Sequence, residues 1–114
     1  MKKVLIPESG TFKCVIMTPK RDPVTKRSSS GREVFIAGPG SYHKEVVKVA
    51  RRNNPELENY IVRGGGRIAI GDTIRVYGYS VDFGEMNKTT VGILLSEYCK
   101  ENDLEFINET GDGY

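Results

Sequence analysis

His43 is the only histidine in the chain, and its sequence surroundings suit a neutral imidazole. Gly38-Pro39-Gly40 breaks the chain, and Ser41 is a good helix N-cap. A helix over residues 42–52 then puts His43 in its first turn. Free N–H groups and the positive end of the helix dipole disfavour imidazolium there and lower the pKa. A histidine that is neutral at pH 7 can act as base or nucleophile. The same helix end attracts phosphate. The bland alternative is an exposed histidine at a helix start, with no role.

Three other positions carry chemistry of the same kind. Arg67 directly follows Gly64-Gly65-Gly66 and can send a guanidinium fork to an oxyanion; otherwise it is a hairpin arginine facing solvent. Ser80 follows the strongest strand in the chain, in a loop that feeds a helix. Such loops can aim successive N–H groups at an anion, and the plain alternative is a simple connection. Lys13 interrupts an apolar strand, either as an edge lysine guarding against aggregation or as a phosphate contact. With His43, these residues point toward an anion site.

Other chemistries lack their signatures. There is no GxxxxGK[ST] phosphate loop and no GxSxG elbow. The segments after Cys14 and Cys99 place no arginine where a cysteine-based phosphatase loop needs one. Those two cysteines form no CxxC pair and read as half-buried free thiols in a reducing compartment. One histidine and two cysteines are too few for an ordinary structural zinc site. The carboxylates of DLE and NETGD read as solvated acid, so no metal ligand is expected.

The elements that must position these residues follow from pattern. Strands are expected at 12–18, 33–37, 57–62, 67–70, 73–79 and 104–107, with Gly64-Gly65-Gly66 as a turn. Helices are expected at 42–52, with Val46, Val47 and Ala50 as its apolar stripe, and at 88–100, with Val91, Leu94, Leu95, Tyr98 and Cys99. Asn53-Asn54-Pro55 ends the first helix. PKRDPVTKRSSSGR, residues 19–32, holds five basic residues and reads as a mobile surface loop. The order ββαβββαβ predicts an α+β fold: a mixed β-sheet of about six strands with two α-helices packed on it. At 114 residues the chain is a single domain. A net charge of +2 is too small to argue for nucleic acid. The apolar runs are too short for a membrane span or a signal peptide.

The ordered set GGGRI, VYGYS, Phe83-Gly84 and a terminal GDGY resembles the protein histidine phosphatase family, the small phosphohistidine phosphatases grouped with the Janus and Ocnus proteins. FKCVI resembles the family's first-strand lysine segment and SYHKEV its Tyr-His helix start, so the similarity covers about 12–114. The resemblance implies a metal-independent hydrolase without a cofactor, acting on phosphohistidine in proteins with some activity on phospholysine. It implies His43 as catalytic base or as the residue that briefly accepts the phosphoryl group. Lys13 and Arg67 would contact phosphate with their charged heads. Ser80, Val81 and Asp82 would bind it through backbone N–H groups and the Ser80 hydroxyl, with Tyr42 beside the site. The partners implied are phosphohistidine-containing proteins, not nucleic acid or membrane, met by a cytoplasmic monomer. The sequence departs from the family at Asp82, where a small neutral residue is common and a carboxylate facing the phosphate would repel it. AGPGSYH also lacks the aromatic and acidic residues expected before the histidine. Two competing classes remain: a non-catalytic phosphohistidine-binding module that needs no His43, and a nucleic-acid binder using the basic loop at 20–32.

Overall fold

The computed structural model describes residues 2–20 and 32–112. Most of the basic loop expected at 19–32, and the last two residues of the GDGY tail, lie outside the described residues. The elements in chain order are β1 (Val4–Leu5), β2 (Gly10–Pro19), β3 (Val34–Gly38), α1 (His43–Asn53), a 3-10 turn (Pro55–Asn59), β4 (Tyr60–Ile70), β5 (Thr73–Gly78), α2 (Lys88–Glu101) and β6 (Glu105–Thr110). The six strands form one mixed sheet in the order β1-β3-β2-β4-β5-β6. β2 pairs antiparallel with β3 and β4, and β4 with β5; the β1–β3 and β5–β6 pairs are parallel. This is the α+β domain the pattern predicts.

Each helix covers one face, because the strand residues alternate between faces. Cys14, Ile16, Ile68, Ile74 and Val76 point to the α2 side, against Val91, Leu94, Leu95 and Cys99. Val15, Met17, Val34 and Ile36 point to the α1 side, against Val46, Val47 and Ala50. Lys13 and Arg67 are direct partners across the β2–β4 ladder. By that alternation both side chains stand on the α1 face, the face from which α1 starts.

Element boundaries differ from the pattern in informative places. Gly64-Gly65-Gly66 is no turn: it runs through the middle of one eleven-residue strand. A Cβ at Gly64 would lie 2.3 Å from the Glu85 carbonyl oxygen, and one at Gly66 would lie 2.9 Å from that of Tyr77. The glycines are strand residues over which other backbone passes. Leu57 is buried in the 3-10 turn that Pro55 opens, not in a strand. The two-residue β1 is too short to leave a period in sequence. At the N-terminus of α1 the cap position belongs to Tyr42, in extended conformation and without a side-chain hydrogen bond, so Ser41 lies one residue outside it. α2 starts as expected, with the Asn87 side chain accepting the Thr90 N–H at 3.0 Å.

Candidate active site

His43 is the first residue of α1, yet it is only 4% exposed. Its ring turns under the helix start onto β4, where Nε2 lies 2.9 Å from the Gly66 carbonyl oxygen. A carbonyl only accepts, so Nε2 carries the proton and Nδ1 keeps the lone pair. Gly66 is one residue beyond the last β4–β5 pair, Arg67–Tyr77. Gly65 makes room for the ring: a Cβ there would sit 2.8 Å from His43 Cδ2, 2.9 Å from Ser80 Cβ and 3.1 Å from the Cys14 carbonyl oxygen.

These surroundings hold the His43 pKa below its usual value. Burial is the largest cause, and the Lys13 and Arg67 cations act in the same direction. The hydrogen bond to Gly66 and the Asp82 carboxylate oppose them. The lowered pKa expected from sequence is therefore present, but desolvation leads it where the helix end was expected to.

Lys13, Tyr42, His43, Val81 and Asp82 line one open cleft of about 620 Å³. Arg67 joins Lys13 in a small adjoining hollow of about 200 Å³. Five of the seven residues singled out from sequence thus share a cleft, and a sixth flanks it. Ser80 is placed differently. It is 1% exposed, and its hydroxyl accepts the Phe83 N–H at 3.1 Å. Its own N–H goes to the Gly84 carbonyl at 3.1 Å, and the Gly84 N–H returns to the Ser80 carbonyl at 2.8 Å. Ser80 therefore shapes the loop from beneath. Val81, 83% exposed, and Asp82 form the crest, and among the described residues neither gives its N–H to a backbone carbonyl. Tyr42, 66% exposed, stands on the rim of the cleft.

Sequence reasoning missed Gly65 and Gly66, which seat the imidazole, and Lys44 and Glu45, which also line the cleft. A run of glycines between apolar β-branched residues was the available signal, and a turn was the simpler interpretation. Cys14 is fully buried, and burial pushes its thiol well above the usual range, so it offers no thiolate nucleophile. Cys99 is buried and shifted in the same direction. Among the described residues, no group of three histidine, cysteine or acidic side chains is gathered where it could hold a metal ion, and no helix is long and apolar enough to cross a membrane.

Fold and cleft together define a small α+β domain in which one buried neutral histidine is flanked by two cations and by the exposed Val81-Asp82 crest. The chain belongs to the Janus/Ocnus family, whose family model matches residues 1–102. No curated protein matches the chain.

Proposed function

We propose that this protein is a metal-independent protein histidine phosphatase, which hydrolyses the P–N bond of phosphohistidine in other proteins. The observation that carries the reading is the state of His43: a single imidazole, fixed by Gly66 with its proton on Nε2 and kept neutral by burial and two cations. That leaves a lone pair on Nδ1 beside a cleft lined by Lys13 and the Val81-Asp82 crest.

The chemistry needs few groups. Phosphoryl transfer depends mostly on positioning and electrostatics. Lys13, Arg67 and the crest amides hold the phosphoryl oxygens. Nδ1 then acts in one of two ways. As a base, it takes a proton from a water whose oxygen attacks phosphorus while the P–N bond breaks. As a nucleophile, it bonds to phosphorus itself, the substrate imidazole leaves, and water later releases phosphate from His43. In both routes the departing nitrogen receives a proton. An imidazole has a pKa of about 6.5, so it leaves readily once protonated, without a strong dedicated acid. Ser80 contributes by holding the turn, so that the Val81 and Asp82 amides face outward.

The test is selectivity. With excess EDTA present, the protein should release phosphate from a phosphohistidine peptide and leave phosphoserine and phosphotyrosine peptides intact. Binding of the phosphohistidine peptide without any release would replace the enzyme by a recognition module.

A further inference from the structure

We propose that a groove along α1 binds an acidic segment of the substrate protein, close in sequence to its phosphorylated histidine. Calling that protein a substrate rests on the phosphatase reading; the affinity of the groove for an acidic peptide does not.

The groove measures about 590 Å³ and opens between α1 and β4. Lys44, Lys48 and Arg52 line it at a spacing of four residues, which puts them on one side of the helix. All three are exposed, and none forms an ion pair among the described residues. Val47, Val62 and Phe83 supply apolar lining. Arg51 has another task, since its guanidinium donates to the Tyr60 carbonyl at 2.8 Å and to that of Leu57 at 3.4 Å. Glu58 is the one carboxylate in the lining, so the groove carries a net positive charge.

Lys44 lines this groove and also the cleft around His43. The two therefore adjoin at Lys44, and a peptide with its phosphoryl group at His43 can run on along α1. From Lys44 to Arg52 is eight residues of helix, about 12 Å. An extended peptide covers that in roughly four residues. Acidic side chains within about five positions of the phosphohistidine, on one side, then meet the three cations. The charge is short in reach and sits over apolar lining, which fits a peptide carrying carboxylates. A nucleic acid would recruit many more phosphate contacts, and the chain has a net charge of only +2.

The test has two arms. In the first, a fluorescent, unphosphorylated peptide with Asp/Glu at four consecutive positions is titrated at low salt against wild type and against the double variant Lys48→Glu, Arg52→Glu. Both substituted residues lie outside the His43 cleft. The wild type should bind the acidic peptide and not its Asn/Gln counterpart, and the double reversal should weaken binding roughly tenfold. In the second arm, phosphohistidine peptides with the acidic run adjacent to the histidine, or ten residues away, are compared in turnover. The adjacent run should lower KM in the wild type only, with kcat unchanged in both proteins. Equal binding by wild type and double variant overturns the inference, as does RNA binding tighter than the acidic peptide. If neither peptide is turned over while the first arm succeeds, the phosphatase reading fails and the acidic groove stands.

Discussion

Gly65→Ala is the sharpest test of how the fold seats the His43 imidazole. A single added methyl would lie 2.8 Å from His43 Cδ2, 2.9 Å from Ser80 Cβ and 3.1 Å from the Cys14 carbonyl oxygen. The first two are far inside ordinary carbon contact, and the three neighbours belong to α1, the Ser80–Gly84 turn and β2. Relief therefore needs the ring, the loop or the sheet to move by several tenths of an ångström. Overpacking of this kind costs about 1–3 kcal/mol, which for a domain of this size lowers Tm by roughly 4–15 °C. The functional cost should reach the upper end of that range. The ring can turn without moving backbone, and turning it breaks the Nε2–Gly66 hydrogen bond that fixes the tautomer. Misplacement of about 1 Å in a reacting group can lower the rate about 10²-fold. Folded Gly65→Ala should thus turn over phosphohistidine peptide about 100 times more slowly, with KM changed far less. Gly71→Ala is the control, since a Cβ there meets nothing within 4 Å, and it should behave as wild type. Wild-type turnover by Gly65→Ala would refute the close seating of His43 against β4.

Four further outcomes follow from the same site. Because the His43 pKa is lowered in the folded state, its neutral form persists below the usual value of about 6.5, so the acid limb of kcat/KM should fall below that pH. The unfolded chain binds the extra proton first, so folding stability should be full above pH 6.5 and decline as pH drops from there toward the folded pKa; denaturant melts at pH 7.5 and 5 should show this, and His43→Gln should flatten it. Arg67→Ala should raise KM and weaken inhibition by inorganic phosphate, with kcat less affected; normal binding with slower chemistry would contradict its role. Asp82→Asn removes a carboxylate from the cleft that also raises the His43 pKa, so phosphate inhibition should tighten and the acid limb should move lower still.

The fold was largely legible because both helices bury apolar residues at spacings of three and four and most strands are short β-branched runs between glycine, proline or asparagine breaks. What failed was the glycine triplet. Sequence alone makes three glycines a turn; here their missing side chains admit the Glu85–Met86 backbone on one face and the His43–Ser80 pair on the other, a tertiary demand without local signature. The same limit applies to Ser80. Its type and its place after a strand suggested a phosphate ligand, but the hydroxyl goes to Phe83 N–H, which only three-dimensional geometry can decide. His43 was legible from its place at a helix start, although burial rather than the helix end dominates its pKa. Lys13 and Arg67 lie far apart in sequence, and it is the antiparallel β2–β4 register that makes them neighbours.

The most direct measurement is phosphate release from a phosphohistidine peptide in excess EDTA, run side by side on wild type and His43→Ala, with circular dichroism to establish that both are folded. Loss of a base or nucleophile of this kind costs about 10² to 10⁴ in rate. The expected result is release by the wild type and a fall of at least that order in the variant. Equal release by both would leave an enzyme but contradict His43 as its catalytic group, and release by neither would contradict the phosphatase itself.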